Sequence, residues 1–187
     1  MRAQRIPRSL MTACATLLIS SCGSTSPIAP DASGVPVPTG DQMLRVTLST
    51  RCPADSQPLV PVVFTRVTVA RTSTEWIATA ASPAAGDVEL RFRQSGAALG
   101  TGFMPIAGTI KGTAVHMADL LPGLPASDAR FNFGAGGTAV NGVAFSPTAL
   151  LPAAGVDGTG NGTITVTDGA GRSCTGSTFS WGLGTPS

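Results

Sequence analysis

The first features to note in this 187-residue chain are absences, because it has no tyrosine, one histidine and only 5% aromatic residues. Its single lysine, Lys111, stands outside any basic run, whereas nucleic-acid-binding proteins usually carry clustered lysines and arginines. The sequence contains no Gly-x-Ser-x-Gly motif, and its lone histidine, His116, is not part of a His-Glu-x-x-His motif. The sequence therefore predicts a protein that is not an enzyme, uses no cofactor and binds no nucleic acid.

The chain also lacks an apolar run of the ~20 residues that a membrane-spanning helix needs. A shorter run lies at the N-terminus, where Arg2, Arg5 and Arg8 precede the mostly small and apolar residues 9–21. A basic region followed by about a dozen apolar residues is typical of a cleaved secretion signal. We therefore expect residues 1–21 to be a signal peptide.

The end of this segment carries a motif of its own. Ile19, Ser20 and Ser21 precede Cys22, so that an aliphatic residue and two small residues stand before a cysteine. This pattern resembles the lipobox of bacterial lipoproteins. The resemblance implies cleavage before Cys22 and lipidation of that residue, and Gly23 implies sorting to the outer membrane, with the domain facing the periplasm or the cell surface. The alternative is a plain secretory signal that happens to contain a cysteine.

Removal of the signal changes the charge of the protein. The full chain has a net charge of +2, but without its three N-terminal arginines nine basic residues stand against ten acidic ones. A nearly neutral chain has no strong electrostatic attraction to nucleic acid or to a membrane surface. The membrane contact that we expect is therefore the lipid on Cys22, and we expect the protein to be a monomer.

Cleavage also changes the cysteine count. Cys14 is lost with the signal and Cys22 carries lipid, which leaves Cys52 and Cys174. An even pair in an exported chain predicts a disulfide, with two free thiols or a metal-binding pair as the alternatives. Closing a loop of about 120 residues would stabilise the fold by on the order of 5 kcal/mol in the chain-entropy model.

Two regions follow the signal. Residues 22–40 comprise the lipidated cysteine and a segment rich in proline, glycine and serine, which is typical of a linker. Residues 41–187 alternate apolar and polar positions, as half-buried antiparallel strands do. They predict an all-β domain, a single antiparallel up-and-down barrel of about eight to ten strands, with a β-sandwich as the alternative.

The predicted strands are distributed along the whole domain. The turn residues Asp168-Gly169 predict a hairpin between the last two strands. The strands are expected near residues 44–48, 62–71, 74–81, 88–92, 97–103, 106–111, 113–118, 129–133, 138–145, 164–167 and 174–181.

Some of these strands carry Gly-Thr phrases, in Gly100-Thr101-Gly102, in residues 107–113 and in the 161–181 hairpin. They resemble strands of uncharacterised β-barrel lipoproteins and, more loosely, calycin-type barrels. An eight-stranded barrel can enclose one small ligand. The predicted function is therefore binding of a small or apolar ligand inside the barrel. The alternative is a structural or interaction module that contacts a partner protein or glycan through loops or a sheet edge.

One segment has the spacing of a calcium-binding loop. Asp157, Thr159 and Asn161 stand at the first, third and fifth positions, and Asp168 stands at the twelfth. However, a strand at residues 163–167 would carry Asp168 about 16 Å from the other three residues. We therefore expect a glycine-rich loop that leads into the hairpin, and no metal site.

Overall fold

The computed structural model describes residues 35, 37–49, 62–100, 102–120, 129–149 and 151–185. These residues form ten β-strands and two short 3-10 helices, Pro83–Ala85 and Ala118–Leu120. Within them, no helix is long and apolar enough to cross a membrane. The strands are β1 Gly40–Leu48, β2 Val62–Arg71, β3 Trp76–Ala80, β4 Glu89–Gln94, β5 Phe103–Lys111, β6 Thr113–Val115, β7 Arg130–Asn132, β8 Thr138–Phe145, β9 Gly155–Thr167 and β10 Ser173–Gly184.

Eight of these strands close into an antiparallel barrel. The ring runs β1-β2-β3-β4-β5-β8-β9-β10, and it closes because β10 pairs with both β9 and β1. The two other strands lie outside the ring, β7 against the end of β9 and β6 against β7. The predicted all-β, up-and-down barrel is confirmed, and the β-sandwich alternative was wrong.

The two extra strands lie across one end of the barrel. Gly112, between β5 and β6, has φ +81° and lies so close to Asp87 that a Cβ atom would come within 2.6 Å of the Asp87 carbonyl oxygen. This tight bend carries β6 away from β5, towards Gly86 and β2. We call β6, residues 116–120 and β7 the cap.

Alternation places large side chains inside the barrel. The Trp76 and Phe92 rings stack with centroids 5.6 Å apart, and the Phe92 and Trp181 centroids are 6.0 Å apart. A second group lies next to the cap, because the ring of Phe133, directly after β7, and the ring of Phe179 have centroids 5.7 Å apart. All five rings are almost completely buried. Aromatic side chains therefore occupy much of the barrel interior.

Glycines on neighbouring strands make room for these rings. Phe92, Gly108, Val140, Gly160 and Phe179 lie directly opposite one another in successive strand pairs. A Cβ atom on Gly160 would overlap the ring of Phe179. Larger residues and glycines therefore alternate in the barrel interior, so that the rings fill the space that the glycines leave.

The packed region begins before β1. Val35 and Val37 are buried with exposed fractions of 2% and 8%, and both belong to the hydrophobic core. They precede β1, so the hydrophobic core includes residues before the first strand. The last part of the predicted linker, residues 22–40, therefore contributes to the core.

Most predicted strands are present, and the predictions for 62–71 and 138–145 match β2 and β8 residue for residue. The predicted strand at 97–103 was wrong, because it overlaps β5 only at Phe103. The pairing of Gln94 with Ile106 makes β4 and β5 a hairpin, and the described residues between them form its connection. Leu99, apolar but 60% exposed, lies in that connection.

Candidate functional site

The structure describes only one of the three predicted site cysteines. Cys174 lies in β10 opposite Val166 of β9, and its partly buried side chain packs against the core. Cys22 and Cys52 lie outside the described residues. Lipidation of Cys22 and the disulfide between Cys52 and Cys174 therefore remain predictions.

The residues with calcium-loop spacing lie on a strand. Asp157, Thr159 and Asn161 occupy alternate, exposed positions of β9, which pairs with β8 on one side and β10 on the other. The predicted glycine-rich loop was therefore wrong. Residues two apart on a strand are separated by ~6.5 Å, so their oxygens do not converge on one ion. Across the described residues no group of three or more His, Cys, Asp or Glu side chains could hold a metal.

Asp168 has a different role, at the predicted hairpin turn. Its carboxylate accepts hydrogen bonds from the backbone N–H groups of Ala170 and Arg172, and it forms an ion pair with the Arg172 side chain at 2.6 Å. Although desolvation opposes ionisation, these contacts with Arg172 and Ala170 leave the pKa of Asp168 below its usual value. The hairpin prediction is confirmed, with Asp168 as a turn-forming residue.

A cavity of about 390 Å³ lies on the outer face of the barrel, along β1, β8, β9 and β10. We call it the trough. Glycines at Gly155, Gly182 and Gly184 form part of its floor. Apolar side chains form its sides, namely Met43, Phe64, Phe145, Ala153 and Ala154.

Strand alternation explains why the trough is open. In β10 the side chains of Trp181 and Leu183 are buried in the core, so Gly182 and Gly184 stand at positions that face outward. A Cβ atom on Gly184 would have no neighbour within 4 Å. The outer surface of β10 therefore lacks side chains where the neighbouring strands carry Met43 and Phe145. The pattern Gly-x-Gly beside a tryptophan was the signal in the sequence that could have identified this surface.

An ion pair borders the trough. Gly182 lies between Arg45 of β1 and Asp157 of β9 in the strand register. Because Gly182 has no side chain, the two charged groups approach across it, with 3.4 Å between Arg45 Nη2 and Asp157 Oδ1. Both side chains are about half exposed, and such pairs stabilise a fold by at most about 1 kcal/mol. They offer a hydrogen-bond donor and an acceptor beside an otherwise apolar surface.

Phe64 links the trough to the cap. Strand β3 pairs only with residues 67–71 of β2, so it does not cover Phe64. The cap supplies the missing partners. The Phe64 N–H donates to His116 Nδ1 at 3.2 Å, and the Met117 N–H donates to the Phe64 carbonyl oxygen at 2.8 Å. The Phe64 and His116 rings meet edge to face, with centroids 6.1 Å apart.

His116 is itself buried, with an exposed fraction of 8%. Because Nδ1 accepts a hydrogen bond, a neutral imidazole carries its proton on Nε2, and Nε2 is buried with no hydrogen-bond partner among the described residues. Burial lowers the pKa of His116 from its ordinary value of 6.5. The only histidine of the chain therefore lies in the cap, at its contact with β2, in surroundings that favour the neutral imidazole.

The outer face of β3–β5 has a different chemistry. Glu89 contacts Arg91 at 2.8 Å and Lys111 at 3.0 Å, and Arg91 also contacts Glu75 at 2.9 Å. Hydrogen bonds from Arg91 and Lys111 lower the pKa of Glu89 to about 2. These opposite charges neutralise one another locally, whereas the apolar sides of the trough remain available to a ligand.

Comparison of the chain with protein-family models, with curated proteins and with solved structures finds no significant match. The trough combines apolar walls with one ion pair, and this arrangement suits non-covalent binding of an apolar molecule.

Proposed function

We propose that this protein is a lipid-anchored, non-enzymatic binding protein of the bacterial cell envelope. Cys22 holds it to the outer membrane, and the trough binds an elongated apolar ligand such as an acyl or alkyl chain. The observation that carries the proposal is the trough itself, an outer cavity of about 390 Å³ walled by Met43, Phe64 and Phe145. Small-molecule sites usually enclose ~300–1,000 Å³ and have mainly apolar walls.

The proposed site lies on the outer face of the barrel, whereas the sequence predicted a ligand inside it. Trp181 and Phe92 are 0% and 1% exposed, and the rings of Trp76 and Trp181 both pack against Phe92 inside the barrel. A ligand there would have to displace packed rings, and vacating such space costs several kcal/mol. The trough offers contact with apolar side chains without that cost.

The chemistry of the trough favours a flexible chain with a small polar end. Each methylene that leaves water contributes ~0.8 kcal/mol, so burial of about six corresponds to a dissociation constant on the order of 0.1–1 mM. The polar end can exchange hydrogen bonds with Arg45 and Asp157, which border the cavity. Affinity therefore comes from apolar contact, and orientation comes from the ion pair.

The test uses the full chain with Cys22→Ala, so that no acyl chain of its own competes, and calorimetric titration with decanol. Gly184→Leu adds a side chain to the trough where a Cβ atom has open space. Gly136→Leu is the matched control, because Gly136 also faces open space but does not line the trough. We expect decanol to bind the Cys22→Ala chain and its Gly136→Leu form, and to bind the Gly184→Leu form at least about tenfold more weakly. Equal binding by both leucine variants, or no binding at all, would contradict the proposal.

The anchor and the compartment are tested separately. Mass spectrometry of the protein from a bacterial membrane is expected to show a chain that begins at Cys22 with added acyl mass, and Cys22→Ala is expected to release it to the soluble fraction. Thiol labelling of the unfolded protein without reductant is expected to leave Cys52 and Cys174 unmodified, since export favours a disulfide. A full-length unmodified chain would contradict the anchor, and two labelled thiols would contradict the bridge.

A further inference from the structure

The cap is attached to β2 through a short contact beside the trough. Its elements are the hydrogen bond from the Phe64 N–H to His116 Nδ1, the hydrogen bond from the Met117 N–H to the Phe64 carbonyl, and an exposed ion pair between Arg66 and Asp119 at 3.1 Å. Residues 116–119 thus meet two residues of β2, two positions apart. Phe64, the first of the two, is also a wall of the trough.

Protonation of His116 is incompatible with this contact. A doubly protonated imidazole has N–H groups at both nitrogens, so Nδ1 can no longer accept from the Phe64 N–H. The Phe64 N–H would then lose its partner, and a cation would be enclosed at a position that is only 8% exposed. Both penalties disappear when the segment leaves β2 and the imidazole is hydrated.

The charged groups that the structure describes near His116 already have other partners or carry the same charge. On the cap, the Asp119 carboxylate is already paired with Arg66 of β2. Two further charged residues are described nearby: Arg130 of β7, in the cap, which is also cationic, and Asp87, before β4, whose carboxylate accepts from the Thr113 N–H. Among the described residues His116 forms no ion pair. Among the described groups, therefore, none gives protonated His116 an ion pair that would oppose the effect of acid on this contact.

We propose that His116 is an acid-sensitive latch, whose protonation releases the cap from β2 and thereby withdraws support from the Phe64 wall of the trough. The consequence for a ligand rests on the proposed function, because it assumes that the trough is the binding site. The latch itself depends only on the contact between the cap and β2. Acid would then loosen the site, and neutral pH would restore it.

The direction of the pH effect follows from the pKa of His116. We call the protein closed when residues 116–119 contact β2 and open when they have left it. Burial lowers the pKa of His116 in the closed state, whereas the solvated imidazole of the open state keeps the ordinary value of 6.5. The open state therefore binds a proton more readily than the closed state does. The closed state has its full advantage above pH 6.5 and loses it as the pH falls below that value towards the lowered pKa. Within this interval the ratio of closed to open protein changes by up to about tenfold per pH unit.

The direct test is amide hydrogen exchange by NMR on the full chain with Cys22→Ala, at about pH 7.5 and about pH 5, expressed as protection factors. We expect the Phe64 and Met117 amides to lose about tenfold in protection in acid relative to amides of β4 and β5. His116→Gln retains a neutral acceptor at both pH values, so its Phe64 protection is expected to stay constant. Equal protection at both pH values in the parent chain, or the same loss in His116→Gln, would overturn the latch.

A second variant separates titration from simple weakening of the contact. Asp119→Asn removes the ion pair with Arg66 but leaves His116 in place. We expect lower Phe64 protection at both pH values, with the decrease in acid retained. A pH-independent Phe64 amide in Asp119→Asn would assign the acid effect to the ion pair and would overturn the role of His116.

Decanol, which is uncharged at both pH values, connects the latch to the trough. If the closed state is the form that binds, the apparent affinity is proportional to the closed fraction. We expect the affinity to fall from pH 7.5 to pH 5 in the parent chain by the same factor as the closed fraction, and to remain constant in His116→Gln. Loss of Phe64 protection without decanol binding at either pH would leave the latch standing and overturn the proposed function. Decanol binding with pH-independent affinity, together with pH-independent protection of Phe64, would overturn the latch and leave the proposed function standing.

Discussion

Gly160 on the inner side of the barrel wall and Gly184 on the outer side have opposite surroundings. On the inner side, Gly160 lies under the ring of Phe179 and leaves no space for a Cβ atom. On the outer side, Gly184 faces open space and helps to form the floor of the trough. The same absence of a side chain therefore permits dense packing on one side and a vacant surface on the other. What decides the outcome is the presence or absence of a large neighbour.

The largest expected effect is on the inner side. Gly160→Val places two methyl groups where the Phe179 ring already lies, and severe overpacking costs about 3 kcal/mol or more. Urea denaturation followed by tryptophan fluorescence measures the loss. The double variant Gly160→Val with Phe179→Ala is expected to recover part of it, because the two side chains then exchange volume. An unfolding free energy of Gly160→Val equal to that of the parent would contradict the dense packing inferred for the inner side.

An intermediate effect is expected at the charged outer face. The pKa of Glu89 is lowered from 4.5 to about 2, so its stabilising contribution is present in full above pH 4.5 and is lost as the pH falls towards 2. Its partners Arg91 and Lys111 are about half exposed, so solvent screening reduces the contribution to about 1 kcal/mol. The unfolding free energy of Glu89→Gln is expected to depend less on pH between these values. If the unfolding free energies of the two proteins changed with pH in parallel, the ion pairs of Glu89 would not contribute to stability.

The smallest effect on stability is expected in the trough. Gly184→Leu meets no atom within 4 Å of its Cβ position, and surface substitutions of this kind change stability by about 0.5 kcal/mol or less. Thermal unfolding of Gly184→Leu and Gly136→Leu is expected to coincide with that of the parent. A large loss in Gly184→Leu would mean that the trough is part of the packed structure.

Local pattern was sufficient where a strand alternates and carries few glycines. The segment Val62–Arg71 has β-branched residues at alternate positions, and it is a strand over its whole predicted length. The pattern failed at residues 157–162, where three glycines suggested a loop but belong to β9. There, Gly158 lies opposite Gly142 and Gly160 lies opposite Phe179, so pairing on both sides overrides the weak strand propensity of glycine.

The candidate site was harder to predict than the strands. His116 was evident as the only histidine, but its partner is the backbone of Phe64, 52 residues earlier. Backbone groups carry no residue-specific signal. The trough likewise joins residues from β1, β2 and the last three strands, which lie side by side only because the ring closes between β10 and β1.

The sequence by itself determined the all-β class of the fold and about the right number of strands, because alternation and turn chemistry are local properties. It also determined the placement of Asp168 at a hairpin turn. The tertiary structure decided between barrel and sandwich, because the barrel closes through pairing of β10 with β1, at opposite ends of the domain. Only the tertiary structure decided which glycines lie beneath aromatic rings and which lie open to solvent. It also decided that His116 meets β2 and that apolar walls face one another across β10. These features depend on strand register and on contacts between distant segments, and no window of sequence contains both partners.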